Sequence, residues 1–484
     1  MTVATDYETV IGLEVHAQLK TDTKIFCGCS TEFGNEPNIH TCPVCLGLPG
    51  SLPVLNKKAV EYGIMAGLAL NCEISEYSKF DRKNYFYPDL AKAYQISQLD
   101  FPVGQNGYVR IKVDGEEYKI GVNRIHLEED AGKLIHEGTV DRASGSLVDY
   151  NRSGVPLAEI VSEPDMSSPA QAKEYLTQLK MILEYLDVSD CNMEEGSLRC
   201  DANVSIRPRG QKELGVKTEV KNMNSFKAVE KALAYEVKRQ KKILDEGKEV
   251  VQETRGWDED KGQTISMRGK EEAHDYRYFP EPDLVPLEIE SSWVDELNEA
   301  VPELPLQRNE RFIEDYDLPE YDAGVLTDDK ALADLFEQGV KAYDDPKAVS
   351  NWVMGEFLRL INENDMNVAD SKIEGAALGQ MLQLIDEGTI SNNIAKEVFE
   401  EMFATGQKPE AIIEEKGLKQ ISDEDKLEEI VSNIIADNPD AVEDIKGGKD
   451  RAIGFLVGQV MKETKGQANP QMVNQLIREK VQEE

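Results

Sequence analysis

Carboxylates and imidazoles displayed along strand-like segments are the first chemical signal in this chain. Val10 to Leu19 alternates, with Ile11, Leu13, Val15, Ala17 and Leu19 on one face and Glu14, His16 and Gln18 on the other. Leu198 to Arg207 sets Leu198, Cys200, Ala202, Val204 and Ile206 against Arg199, Asp201, Asn203, Ser205 and Arg207. In Val216 to Lys221, Lys217, Glu219 and Lys221 oppose Val216, Thr218 and Val220. Further acids stand in RIHLEEDAGK (Glu128, Glu129, Asp130) and MEEGSLRCDAN (Glu194, Glu195). Gathered carboxylates favour a hard cation, and Mg2+ beside basic residues would hold a nucleoside triphosphate. For any one strand the bland reading is a solvated face.

Two other segments carry chemistry. SKFDRKNYFYPDLAKAYQISQ interleaves Lys79, Arg82, Lys83 and Lys92 with Phe80, Tyr85, Phe86, Tyr87 and Tyr94, a composition that suits phosphates and nucleic-acid ends. Core packing is its bland alternative. Cys27-Gly28-Cys29 and Cys42-Pro43-Val44-Cys45 offer four thiolates in two close pairs across a Gly/Pro/Asn-rich loop, as tetrahedral zinc needs. His40, next to the second pair, is a substitute ligand to weigh. Four cysteine ligands leave no position for water, so this zinc would be structural. Cys72, Cys191 and Cys200 are isolated and read as ordinary buried thiols.

The elements that must position these groups fall into an α+β protein. At 484 residues the chain has room for several domains of about 100 to 200 residues each. A hydrophobic share of 40% excludes wholesale disorder, and no run approaches the roughly 18 apolar residues of a membrane helix. MTVATDYETV has no positive region followed by an apolar stretch, so a cytoplasmic address is expected. The net charge of −38 argues against indiscriminate attraction to polyanions but leaves room for a local basic groove. Alternating segments with Gly/Pro/Asn punctuation, in a largely antiparallel sheet, dominate to about residue 290. Helical periodicity follows. The expected divisions are 1–290, a helical domain over 291–405 opening at Ser292-Trp293-Val294-Asp295, and a helical tail over 406–484. No nucleophile elbow, phosphate loop or dinucleotide fingerprint occurs, so the sequence indicates no triad hydrolase, P-loop or Rossmann site.

Seven segments, TVIGLEVHAQLKT, SKFDRKNYFYPDLAKAYQISQ, LEEDAGK, YNRSGVPLAEIVSEPD, MEEGSLRCDANVS, EVKNMNSFKAVEKA and DYRYFPEPDL, resemble the B subunits of aspartyl/glutamyl-tRNA amidotransferases. GFLVGQVMKETKGQANPQMVNQLI extends the resemblance through the tail. The related archaeal E subunits carry an inserted domain for which this chain has no room. The resemblance implies a cradle-shaped first domain, a helical domain and a small helical tail, in a heterotrimer with a glutaminase A subunit and a small C subunit. It implies binding of mischarged Glu-tRNA(Gln) or Asp-tRNA(Asn), phosphorylation of the esterified side-chain carboxylate by ATP, and amidation by ammonia channelled from the A subunit. By the same resemblance His16, Glu129, Asp201 and Glu219, with Glu14 as a further ligand, hold Mg2+. Glu129 meets ammonia at the channel mouth, and Lys83 and Lys92 line the channel or hold phosphate. Cys27, Cys29, Cys42 and Cys45 match zinc-bearing members, while other members lack them. The tail is expected to touch tRNA through a cationic island of Lys446, Lys449, Arg451, Lys462 and Lys465, set against Asp450 and Glu463. The rival expectation is a zinc-stabilised RNA-binding scaffold without chemistry of its own.

Overall fold

In the computed structural model the described residues are 6–136, 145–267, 276–419, 424–446, 451–464 and 467–483. They form two compact units, Met1–Pro305 and Leu306–Glu484. The first carries strands β1 (Tyr7–Gln18), β2 (Glu73–Ile74), β3 (Tyr77–Ser78), β4 (Asp81–Asn84), β5 (Tyr94–Ser97), β6 (Gly104–Val113), β7 (Glu116–Glu129) and β8 (Lys133–His136). After these come β9 (Ser146–Asp149), β10 (Pro156–Ser162), β11 (Leu198–Pro208), β12 (Thr218–Lys221), β13 (Glu253–Asp258), β14 (Gln263–Ser266), β15 (Phe279–Pro280) and β16 (Leu287–Glu288). One nine-stranded sheet has the order β14-β13-β12-β11-β1-β10-β7-β6-β2. Every junction in it is antiparallel except β12–β13. The expected α+β class and largely antiparallel sheet are observed, and the three alternating segments become β1, β11 and β12.

Helices α1 (Lys57–Ala69), α2 (Pro169–Tyr185) and α3 (Phe226–Asp245) start where short polar side chains satisfy free backbone donors. Asn56 accepts from Lys58 N, Ser168 from Gln171 N and Ser225 from Ala228 N. The apolar residues of β1 (Ile11, Leu13, Val15, Ala17) share one buried cluster with Ala172, Tyr175 and Leu176 of α2 and Val229 of α3. Each of the valine, leucine and isoleucine side chains among them contributes about 1.5–3 kcal/mol by leaving water. This packing assigns one face of the sheet to the core and leaves the other for polar groups.

The helix expected at Ser292 is α4 (Ser291–Ala300), and its cap is Glu290, which makes no side-chain bond there. Trp293 and Val294 instead fasten α4 to the first core. The chain continues with α5 (Pro305–Tyr316), α6 (Glu320–Thr327), α7 (Lys330–Ala342), α8 (Pro346–Trp352), α9 (Leu358–Glu363), α10 (Gly375–Asp386), α11 (Asn392–Thr405) and α12 (Pro409–Lys416). Last come α13 (Glu424–Asp437), α14 (Pro439–Lys446), α15 (Arg451–Glu463) and α16 (Pro470–Glu483). Gly406, at φ 76°, closes α11 in the left-handed conformation that favours glycine. Ile412 and Ile413 of α12 nevertheless bury themselves in the core of the preceding helices, and a separate core starts at Leu427. The division expected at residue 406 therefore falls inside a packed unit. Among the described residues no helix is long and apolar enough to cross a membrane.

Leu176 is fully buried between α2 and the sheet. Leu176→Ala should destabilise the first unit by about 2–5 kcal/mol. Hydrogen exchange should report this in β1 and α2 and not in α15; equal loss of protection in both regions would contradict the separate cores.

Candidate active site

Residues that face each other across an antiparallel pair share a face of the sheet. His16 on β1 opposes Glu159 on β10, and Glu159 opposes His126 on β7. Three strands thereby place imidazole, carboxylate and imidazole in one row. Two residues along β1 and β7, Glu14 and Glu128 add carboxylates to the same face. His16 Nε2 lies 3.4 Å from Glu159 Oε2 and 3.8 Å from both Glu14 Oε1 and Glu128 Oε1. His126 Nε2 lies 3.2 Å from Glu159 Oε2 and 3.8 Å from Glu128 Oε2. Glu159 belongs to two ligand groups, Glu14–His16–Glu159 and His126–Glu128–Glu159, whose ligand atoms lie within 4.8 Å of one another. Oxygen and nitrogen donors at this spacing fit a divalent cation.

The row balances its own charge. Burial opposes a proton on His16, but the hydrogen bond to Glu159 and the charges of Glu128, Glu159 and Glu14 outweigh it and raise the pKa. Burial also opposes charge on His126, and Glu159 with Glu128 still pushes it up to about 9. Glu159 shows the converse: burial favours its neutral form, yet His126 and His16 hold it well below the usual carboxylate range. Burial and then Glu159 raise the Glu14 pKa. Lys83 on β4 overlooks this face, with its Nζ 5.0 Å from the Tyr276 ring centre and 5.8 Å from that of Tyr85. Burial works against its charge, but Glu128, Tyr278 and Glu159 raise its pKa, so a lysine cation is retained above the acids.

Other expected residues sit elsewhere. Glu129, expected with His16 around Mg2+, has the strand parity of the buried Ile125 and Leu127 and leaves β7 on the opposite face from Glu128. There it accepts from Lys92 Nζ at 2.6 Å on both oxygens and from Ile96 N at 2.8 Å. Asp201 opposes Glu14 but is held by Lys221 Nζ at 2.5 Å. Glu219, on β12, is two strands from β1, roughly 10 Å away at the usual strand spacing. It accepts from Thr254 at 2.7 Å and lies 3.1 Å from Lys221 Nζ. The expected Mg2+ set is thus only partly brought together. Lys79 lies 3.0 Å from buried Asp81, and Arg82 forks onto Glu281 at 2.6 and 2.7 Å. These pairs engage two of the cations expected to grip phosphate. Asp130 is buried against Arg199, at 2.9 and 3.0 Å, and Arg152, and braces the end of β7.

The sulfur atoms of Cys27, Cys29, Cys42 and Cys45 lie within 4.8 Å of one another and form no disulfide. Burial leads the crowding effects that push Cys29 up to about 11, while the hydrogen bond from Cys27 leads those that bring Cys45 down to about 4. Nearby, Lys24 Nζ is 3.8 Å from Cys45 Sγ and donates to His40 O at 2.7 Å. Four converging thiols with one buried cation fit a tetrathiolate metal, whose net negative charge Lys24 would offset. His40 is outside this group. Cys72, Cys191 and Cys200 are buried singly, as expected.

The family model described as the GatB/GatE catalytic domain matches residues 9–295, and one described as the GatB domain matches 334–481. The chain belongs to the GatB family. A relative from Thermoanaerobacter sp. (strain X514), named as the B subunit of an aspartyl/glutamyl-tRNA(Asn/Gln) amidotransferase, is 64% identical over 98% of this chain and 99% of its own length. Chains of the same name from Carboxydothermus hydrogenoformans and Clostridium tetani are 61% and 57% identical, each over 98% of this chain and 99% of their own.

In this GatB-family chain the residues that sequence reasoning missed are His126 and Glu159, together with Lys221 as the counter-charge of Asp201 and Glu219. One signal was available: Glu159 is the single charge in the otherwise apolar strand PLAEIVS. Of the tail cations, Lys446, Arg451 and Lys462 are exposed, and Phe455 is exposed between the last two on α15. Lys449 and Lys465 lie outside the described residues.

Because the folded-state pKa of His126 stands near 9, above its ordinary 6.5, its stabilising contribution is complete below 6.5 and lost as pH rises through 9. Neutral imidazole is the form that binds metal. The rise in melting temperature on adding Mg2+ should therefore grow between these pH values; a constant rise would count against metal at this row.

Proposed function

We propose that this chain is the kinase and transamidase subunit of a heterotrimeric tRNA-dependent amidotransferase. Its substrates are ATP and the side-chain carboxylate of glutamate or aspartate esterified to tRNA, as Glu-tRNA(Gln) or Asp-tRNA(Asn). The observation that carries this reading is the convergence of Glu14, His16, His126, Glu128 and Glu159 beneath Lys83.

A carboxylate is a poor acyl donor, so its oxygen first attacks the terminal phosphorus of ATP, releasing ADP and leaving an acyl phosphate. Phosphoryl transfer depends chiefly on positioning and on charge stabilisation. Glu14, His16, His126, Glu128 and Glu159 are the residues that would hold Mg2+. When bound, the ion neutralises charge on the phosphoryl oxygens. Lys83 adds a fixed cation on the same face. Ammonia from a glutaminase A subunit, assembled with a small C subunit, then attacks the carbonyl carbon and inorganic phosphate leaves. The leaving phosphate carries off the proton that the nitrogen gives up, while Glu129, paired with Lys92 on the other face of the sheet, meets ammonia on its way to the site. The tail supplies phosphate contacts to the tRNA through Lys446, Arg451 and Lys462. A scaffold that only bound RNA would have no use for a buried row of ligands.

Assembled with its A and C partners, the chain should form ADP only with mischarged tRNA present. Glu159→Gln and Glu128→Gln should each lower that rate by about 100-fold or more. Glu129→Gln should reduce amide formation more than ADP formation, and full activity in the Glu159 and Glu128 variants would overturn the assignment. Replacing Arg451 and Lys462 by alanine should reduce the salt dependence of tRNA binding by about two units of log–log slope. An unchanged slope would remove the tail contact.

A further inference from the structure

The four-cysteine loop and the Lys92–Glu129 pair line one pocket, with Cys27, Cys45 and Lys24 alongside Gly47, Lys92 and Glu129. Two left-handed glycines make the connection. The turn that begins at Cys42 is closed by Leu46 N donating to Cys42 O at 3.1 Å and Gly47 N donating to Val44 O at 3.0 Å. It delivers Gly47, at φ 65°, onto the stem of Lys92. A Cβ on Gly47 would overlap Lys92 Cγ and come within 3.3 Å of its Cβ and Cδ. On the far side Gly154, at φ 87°, is so placed that a Cβ would stand 3.6 Å from Cys45 Cβ and 3.9 Å from Glu129 Oε2. Lys24 closes the circuit, since its Nζ donates to Tyr150 O at 3.2 Å as well as to His40 O and lies beside Cys45 Sγ.

Lysine's four-carbon stem is flexible, and holding its ammonium on one carboxylate requires walls that exclude its other rotamers. One of those walls is the backbone of the thiol turn itself. We propose that Gly47 is a positioning residue for Lys92, and that metal held by Cys27, Cys29, Cys42 and Cys45 fixes the turn that clamps Lys92 onto Glu129. Loss of the metal frees the turn, and Lys92 leaves its partner. The zinc site is then mechanically continuous with the pair, although its metal takes no part in bond making. The clamp stands on geometry alone; its consequence for amide formation rests on the function proposed above.

The test uses the assembled complex and an amine-acylating reagent, with labelling of Lys92 followed by peptide mass spectrometry and zinc measured in the same samples. The native complex should hold one zinc per chain and label slowly at Lys92. Chelating the zinc should speed that labelling several-fold by freeing the ammonium from its carboxylate, and restoring zinc should reverse it. Gly47→Ala with zinc retained should speed Lys92 labelling likewise and raise the KM for ammonium by a larger factor than it lowers kcat. Exposed Lys20 should label at the same rate throughout. Unchanged labelling of Lys92 after verified zinc removal overturns the proposal, and that measurement decides alone if Gly47→Ala does not fold. Faster labelling with the KM for ammonium unchanged upholds the clamp and removes Lys92 from the amidation step.

Discussion

An ionised carboxylate withdrawn from water must find fixed positive partners or give up its charge, and the polar groups of the first unit are arranged around that requirement. Glu159 is flanked by His16 and His126, Asp130 by Arg199 and Arg152, and Glu129 by Lys92. Asp201 and Glu219 share Lys221. Apart from Glu219 and Lys221, which share β12, each pair joins different strands or loops, so satisfying the charges also fixes how those segments meet. The cluster of Glu14, His16, His126, Glu128 and Glu159 differs from the others in presenting several donors to one small volume.

Strand alternation sorts chemistry between the two faces of the sheet. On β1 the apolar residues go to α2 and α3, while Glu14, His16 and Gln18 go the other way. This much was legible, since the segment alternates cleanly over its whole length. The end of β7 was not, because Ile125 to Glu129 are all buried and the apolar pattern that betrays a face is lost. A shift of one residue in parity exchanges Glu128 for Glu129, and with it an expected metal ligand for a partner of Lys92. Glu159 escaped notice for a related reason, being a lone acid in a run that reads as core. The ion pair of Arg82 was not legible because Glu281, its counter-charge, is far away in the chain. The helical second unit was more readable, yet packing carries α12 past the turn at Gly406 into the preceding core.

The cysteine spacing announced a metal site, and the thiols do converge. What spacing alone could not disclose is where the turn between them lands. Gly47 on the Lys92 stem and Gly154 between Cys45 and Glu129 are contacts between segments distant in sequence, visible only once the chain is folded.

Glu128 and Glu129 are consecutive residues on one strand, yet they serve opposite sides of the sheet. Neighbouring positions of one strand end thus furnish two separate polar environments, the ligand row on one side and the Lys92 pocket on the other.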